Sequence, residues 1–363
     1  MKAVSLFSGM GGDTLGMTNA GIKVVAFSEF NSDAVESHLA NFPNSKLIGC
    51  GDITKTTDSE LLEYEGVDVV FAGFPCQGFS NAGKKLPDDP RNTLFKEFAR
   101  ATSIIKPKII IGENVKGLLS RKNFAGENYI DIIVNEFMNL GYNIKFGLIN
   151  CEDYGVPQKR TRLFIVGTLH DNNLKTTDIK GKPYIDLPKE KQVGIKSFIE
   201  PTLDNSVETE FYFIPSDSII ESDGIQTGTP HPYLLLKMSQ NETHYWNSSA
   251  EKYEYNGKFF DGLFSFSKRD SPIHCEIVDI NKPTKTIICT YGHQPRMFVP
   301  LKNGSKQYLR PFTINELKQI QSFPANFIVK GSTSSQIKQI GNAVPPKVCT
   351  VLVQELTGNK HNN

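Results

Sequence analysis

This chain of 363 residues lacks most of the features that would place it in a specialised class. No run of about 18 apolar residues occurs, which excludes an ordinary transmembrane helix. The first residues run straight into Ala3-Val4-Ser5-Leu6-Phe7 and then into glycines, too short an apolar stretch for a secretory signal. Six cysteines are spread through the chain without a CxxC pair, so no disulfide framework is expected and a reducing, cytoplasmic setting is. Internal repeats and low-complexity tracts are absent. The net charge of +1 carries no overall basic surface. A nucleic-acid-binding domain often has a pI above about 9, whereas this chain has a pI of about 7.6. The charge is unevenly spread, however. Asp171–Pro230 holds 11 acids and 6 bases, and Lys268–Arg310 holds 8 bases and 3 acids. A local basic face is therefore compatible with a neutral whole, as is a mixed, solvated surface.

What is present is a regular alternation over the first 170 residues. Strand signals at Ala3–Ser8, Lys23–Ser28, Val67–Ala72 and Lys108–Gly112 alternate with helix signals at Asp13–Ala20, Ser32–Asn41, Thr93–Ile105 and Tyr129–Leu140. Two closing strands follow at Tyr142–Ile149 and Leu163–Thr168. This pattern predicts an α/β fold with a doubly wound, mostly parallel sheet. From about Asp171 to Arg310 the alternation is lost in a stretch rich in Pro, Gly, Asn, Ser and Tyr, with short β-like runs at Phe211–Ile214 and Thr286–Thr290. This predicts a second, smaller, irregular β-containing domain with long loops. Helices resume at Thr313–Gln321, with a capping-box spacing from Thr313 to Glu316, and at Lys347–Leu356.

The residues that carry chemistry sit at the ends of the predicted strands. Gly73-Phe-Pro-Cys-Gln-Gly-Phe-Ser80 follows the buried run Val67–Ala72, so Cys76 stands where open α/β sheets place their ligands. A thiol there is either a nucleophile or a small buried apolar group. The loop Phe7-Ser8-Gly9-Met10-Gly11-Gly12 lets a ligand approach the backbone at a helix N-terminus, or simply makes a tight turn. Glu29 ends the second strand, where such folds grip a ribose hydroxyl. Asp52 suits contact with a base or amine. Glu113, after the Lys108–Gly112 strand, donates to a ring nitrogen if burial keeps it protonated, or else caps a helix. Arg160 and Arg162 are two apart and so share a strand face, suiting phosphate or a base carbonyl.

Taken together, these motifs resemble the DNA (cytosine-5) methyltransferases of restriction-modification type over nearly the whole chain. Phe7–Gly12 is similar to the family's S-adenosylmethionine loop, Pro75-Cys76-Gln77 to its nucleophile motif and Glu113-Asn114-Val115 to its Glu-Asn-Val signature. Gln158–Arg162 is similar to its Gln-x-Arg-x-Arg motif. Arg310–Thr313 with Gln321–Pro324, and Gly341–Pro345, match its last two blocks. Asn92 stands where the family usually has glycine, in the loop Asn81–Phe95 that closes over DNA.

The resemblance implies an S-adenosylmethionine-dependent methyltransferase fold. Its catalytic domain would span residues 1–178 and 325–363, with a target-recognition domain at 179–324. It implies a catalytic set of Cys76, Glu113, Arg160 and Arg162. The implied donor site comprises Phe7, Ser8, Gly9, Gly11, Gly12, Leu15, Glu29, Phe30, Asp52, Ile53, Pro75, Leu94, Asn342, Ala343 and Val344. S-adenosylmethionine is the expected methyl donor and S-adenosylhomocysteine its product. Double-stranded DNA is the expected partner, contacted by Gln77, Ser80, Lys84, Arg91, Thr286, Gln294 and Arg296. A restriction endonuclease acting on the same site, a monomeric state and no membrane association complete the expectation. Other readings are a tRNA cytosine-5 methyltransferase, a catalytically silent DNA-binding relative, and a nicotinamide oxidoreductase, which leaves the Pro-Cys and Glu-Asn-Val motifs unexplained. No metal is expected: His274, Cys275, Cys289 and His293 are too loosely spaced for a zinc site.

Overall fold

A computed structural model describes residues 1–75, 94–169, 187–209, 216–239, 245–247, 252–255, 258–260, 264–266 and 275–358. The expected site residues Cys76, Gln77, Ser80, Lys84 and Arg91 lie outside the described residues, as do Phe211–Ile214 and His274. In chain order the first part contains β1 (Lys2–Leu6), α1 (Gly12–Asn19), β2 (Lys23–Phe27), α2 (Ser32–Asn41), β3 (Lys46–Leu47), α3 (Asp58–Leu62) and β4 (Val69–Ala72). It continues with α4 (Phe95–Ile105), β5 (Ile109–Val115), α5 (Tyr129–Asn139), β6 (Tyr142–Asn150), β7 (Gln158–Lys159) and β8 (Thr161–Leu169).

Seven of these strands form one sheet in the order β3-β2-β1-β4-β5-β8-β6. Neighbours from β3 to β5 are parallel, and β8 runs antiparallel to both β5 and β6. The sheet is buried on both faces, which is why its central strands read as unbroken apolar runs rather than alternating ones. All four residues of β4 are buried. Val70 and Ala72 join the core layer that also holds Phe98, Ile133 and Phe137 from α4 and α5. Val69 and Phe71 join the opposite layer, with Met17 of α1 and Val348 and Leu352 near the C-terminus. The strand period of two sends alternate residues to opposite faces.

The second part contains β9 (Val207–Thr209), β10 (Ile220–Glu221), α6 (Pro232–Ser239), β11 (Tyr245–Asn247), β12 (Lys252–Tyr255), β13 (Lys258–Phe260), β14 (Phe264–Phe266), β15 (Cys275–Ile277), β16 (Thr284–Lys285), β17 (Met297–Asn303) and β18 (Lys306–Pro311). A sheet in the order β14-β15-β17-β18-β9, with β10 also on β17, forms its centre, and β11–β13 form a separate small sheet. The chain closes with α7 (Ile314–Ile320), α8 (Thr333–Asn342) and α9 (Pro346–Thr357). The core beneath the second sheet takes in Leu317 and Ile320 of α7, Ile337 and Ile340 of α8, and Met10 from the loop after β1. The glycine loop is thus packed against the second core as well as the first.

Arg310 and Glu316 lock α7 to β18. Nη2 lies 2.6 Å from Oε1 and Nη1 2.9 Å from Oε2, with side chains 1% and 0% exposed. The guanidinium also donates to the carbonyls of Glu200 and Thr202, so this buried charge is paired and hydrogen-bonded as burial demands.

The first-part elements expected from sequence are present, with ends shifted by a few residues. Two differences bear on the site. β5 continues through Val115, so Glu113 stands within the strand rather than just beyond it. The β-like run expected at Thr286–Thr290 is instead the two-residue β16, Thr284–Lys285, paired parallel to β7. A strand this short carries no legible period. No helix among the described residues is long and apolar enough to cross a membrane.

Candidate functional site

The carboxyl ends of β1, β2, β4 and β5 open onto one cavity of about 290 Å³. Its floor is the loop after β1. Phe7 (φ 55°) and Gly9 (φ 54°) are left-handed there. That conformation is free for glycine, but for Phe7 it costs about 1 kcal/mol or more, the kind of local strain that gathers at functional sites. Phe7, Ser8 and Gly9 line the cavity. Gly11 and Gly12, expected there, do not, nor does Leu15. A Cβ on Gly12 would run into the carbonyl oxygen of Val344, and one on Gly11 would meet the Phe42 ring. These two glycines permit close packing of the loop, and Leu15 packs against the second core.

Glu29 and Phe30, at the end of β2, form one wall. The Glu29 carboxylate accepts from the backbone N–H of Gly9 at 2.9 Å and of Asn31 at 2.8 Å. Burial raises its pKa while these amides oppose the rise. Phe30 is 76% exposed, an aromatic face with little packed on it. Asp52 caps the short 3-10 turn Ile53–Lys55 through Thr54 N and Oγ1 at 3.1 and 2.8 Å. The Thr54 hydroxyl chiefly holds its carboxyl below the usual range. Asp52 and Ile53 line the cavity, as do Pro75, Leu94, and Asn342, Ala343 and Val344 at the end of α8.

Glu113 closes the far wall. Nε of Arg162, from the antiparallel neighbour β8, lies 2.9 Å from its Oε1. Burial pushes the Glu113 carboxyl up, against the opposing charges of Arg162 and Arg160. The adjacent Asn114 donates its Nδ2 to the carbonyl of Phe74 at 3.2 Å. The Glu-Asn-Val strand is thereby stitched to the peptide that leads into Cys76. Sequence reasoning named Asn114 within the Glu-Asn-Val signature but gave it no role of its own.

Arg160 departs from expectation. It falls in the break between β7 and β8, so it does not share the face of Arg162. It is 1% exposed and donates to the carbonyls of Ile287 (3.2 Å), Gly341 (3.0 Å) and Ala343 (3.1 Å). It is an internal clamp between the β7–β8 junction, the segment after β16 and the end of α8. Two glutamines that the motifs contain, but to which the sequence assigned no role, complete this knot. Gln158 Oε1 accepts from Ile287 N at 3.0 Å, its Nε2 donates to Gln321 Oε1 at 2.5 Å, and Gln321 Nε2 donates to the Ala343 carbonyl at 2.7 Å. A buried, mutually bonded Gln pair leaves no mark in composition or period.

Among the expected DNA contacts, the Thr286 hydroxyl is committed to the Lys159 carbonyl at 2.6 Å. Exposed Gln294 accepts from Nη2 of Arg296 at 2.9 Å. Among the described residues no three His, Cys, Asp or Glu side chains gather to hold a metal ion.

A family model for C-5 cytosine-specific DNA methylase matches residues 1–358. The chain is 30% identical to a type II methyltransferase, M.DdeI, of Desulfomicrobium norvegicum, with 98% of this chain and 88% of the relative covered. It is 31% identical to the type II methyltransferase M.FnuDI of Fusobacterium nucleatum, covering 98% and 94%. Its fold is like that of a mutant DNMT2 of Spodoptera frugiperda, with a TM-score of 0.67 at 19% identity and 98% and 99% of the two chains covered.

Proposed function

The chain belongs to the C-5 cytosine-specific DNA methylase family and is a DNA cytosine-5 methyltransferase; from that premise we propose that it methylates C5 of a cytosine flipped out of duplex DNA, through a covalent bond between Cys76 and C6. One observation carries this reading. Glu113, paired with Arg162, and the Gly73–Pro75 peptide, held by Asn114 and leading into Cys76, meet at one cavity.

The cavity also suits S-adenosylmethionine. Its volume is near the lower end of the roughly 300–1,000 Å³ usual for ligand pockets. Two carboxylates, Glu29 and Asp52, are held by neighbouring donors and suit ribose hydroxyls and an adenine amine, and Phe30 offers a face for the base. When bound, this donor supplies a methyl group on a sulfonium centre.

Cytosine C5 is a weak nucleophile. The Cys76 thiolate adds to C6, forming an S–C6 bond and moving ring electrons toward C5. Protonated Glu113 donates to N3 and accepts from the exocyclic amine, stabilising the electron-rich ring. Its raised pKa supports that role. Arg162 binds O2 and holds Glu113 in place, while Arg160 braces the strand behind them. C5 then takes the methyl group as the methyl–sulfur bond breaks. Loss of the C5 proton to a base, a water on the family resemblance, accompanies cleavage of S–C6 and frees Cys76. Flipping costs a few kcal/mol of stacking and pairing. Residues 1–178 and 325–363 carry this chemistry, and 179–324 read the duplex. The names of the type II relatives favour an endonuclease partner acting on the same sequence.

The test is base-resolution methylation mapping of unmethylated DNA incubated with the protein and S-adenosylmethionine. C5-methylcytosine at one short motif is expected, and Cys76→Ala should abolish it while leaving donor binding intact. Methylation by the Cys76→Ala protein would overturn the mechanism. Absence of DNA methylation by the wild type, with the donor still bound, would turn the search to RNA.

A further inference from the structure

Asp13, the second residue of α1, was not among the expected site residues. It is 2% exposed, yet it lines the cavity. Its carboxylate is met by two neutral hydroxyls and by the backbone N–H groups of Asp13 and Thr14, all of which oppose the effect of burial without supplying a full charge. Ser5 Oγ donates to Oδ2, and Ser8 Oγ stands 3.5 Å from Oδ1. The groups packed around it bring no positive charge. His38 of α2 reaches Ser8 Oγ through Nδ1 at 2.9 Å and stacks on Phe27 at 3.6 Å. Burial holds it neutral, with its pKa lowered to about 3. Cys349 of α9 donates its thiol to the Asp13 carbonyl at 3.5 Å, and burial pushes its pKa up, so it stays uncharged. Glu29, across the loop, is a second carboxylate. The one cation among the described lining residues is the exposed Lys338 of α8.

A buried carboxylate without a cation is costly and takes up a proton instead. Burial raises Asp13 from 3.8 to about 7. The strand order says where this charge lies along a bound ligand. Glu29 and Asp52 come from the ends of β2 and the segment after β3, toward one edge of the sheet. Glu113 and the peptide before Cys76 come from β5 and β4 on the other side. Asp13 lies beneath the loop of β1, between them. A donor with its adenosine on Glu29 and Asp52 and its methyl group toward β4 lays its amino-acid end over β1.

We propose that the Asp13 carboxylate is the counter-charge for the α-ammonium group at the amino-acid end of S-adenosylmethionine. This rests on the reading of the cavity as the donor site. The ligand brings the cation that the fold omits, so Asp13 ionises on binding and its proton is released to solvent. Affinity therefore rises with pH up to the titration of the free site and levels off above it.

The test is calorimetry with two probes, S-adenosylhomocysteine, which keeps the ammonium group, and 5′-methylthioadenosine, which lacks the amino-acid end. Asp13→Asn preserves the shape. It should weaken S-adenosylhomocysteine by about tenfold or more, as expected for loss of a charge-assisted bond, and leave 5′-methylthioadenosine unchanged. Repeating the titration in buffers of different ionisation enthalpy should reveal proton release near neutral pH in the wild type and none in the variant. Equal weakening of both probes would reduce Asp13 to a positioning residue of the loop and overturn the proposal, as would unchanged binding of both. Should Asp13→Asn fail to fold, the wild type still decides. Affinity for S-adenosylhomocysteine alone should climb between about pH 6 and about pH 8, and a flat profile would overturn the proposal. A wild type that binds neither probe would overturn the donor reading of the cavity itself.

Discussion

Nε of Arg162 lies 2.9 Å from Oε1 of Glu113, across the antiparallel strands β8 and β5, with the two side chains 14% and 11% exposed. The guanidinium holds the carboxylate in one orientation while burial raises its pKa. The two influences oppose each other, and burial prevails. A carboxyl in that state is poised to donate a proton. Glu113→Gln should therefore slow single-turnover methyl transfer by about 10²- to 10⁴-fold and leave the dissociation constants for donor and DNA nearly unchanged. The protonated form is the active one, so the wild-type rate should fall as pH rises through the raised pKa. Rapid-quench rates across pH should show that limb in the wild type and not in the variant.

Arg160 presents the contrasting case, an arginine two residues away that acts through the fold. Replacing it with leucine strips the carbonyls of Ile287 and Gly341 of this donor and leaves that of Ala343 to Gln321 alone. Buried acceptors left without donors cost about 1–3 kcal/mol each, so Arg160→Leu should lower the unfolding free energy measured by urea titration by several kcal/mol. A variant of wild-type stability that has lost activity would instead show a direct catalytic part for Arg160.

Gln158 and Gln321 share a hydrogen bond inside the same knot. Changing either one to leucine leaves the other amide partly unbonded, at about 1–3 kcal/mol. The double change removes both members and should cost less than the sum of the singles. The expected coupling in a double-mutant cycle of chemical denaturation is about 0.5–3 kcal/mol. Strict additivity would mean that the two side chains act independently.

His38 and Asp13 should tilt the stability-versus-pH curve in opposite directions. The folded pKa of His38 is lowered to about 3, so its contribution is present above its unfolded value of about 6.5 and is lost as pH falls toward 3. The folded pKa of Asp13 is raised to about 7, so its contribution is present below about 4 and is lost as pH rises toward 7. Between these limits the slopes oppose. Each group bears at most about 1.4 kcal/mol per pH unit. His38→Gln should flatten the acid side of the curve, and Asp13→Asn should flatten the fall toward neutrality. Urea titrations at several pH values on the three proteins measure both.

Much was legible in the chain itself. Unbroken apolar runs such as Val69–Ala72 marked a sheet buried on both faces, because such strands dispense with a polar side. The loop after β1, Glu29 after β2, and Glu113 after the isoleucines of β5 were legible as site residues because catalysis needs particular side chains at strand ends, and strand ends are marked by glycine, proline and polar residues. What the sequence by itself determined was the class of fold, the chemical inventory and the order of its motifs. Tertiary structure alone decided which like residues do unlike work. Arg162 turns to Glu113 while Arg160 turns inward, because a break between β7 and β8 cancels the strand period. Gly9 lines the cavity while Gly12 packs beneath Val344. Asp13, one more acid in the chain, becomes a buried carboxyl facing the cavity. Local sequence sets the conformation of a segment, but burial and partnership depend on segments hundreds of residues apart meeting in space, and one-dimensional spacing does not carry that information.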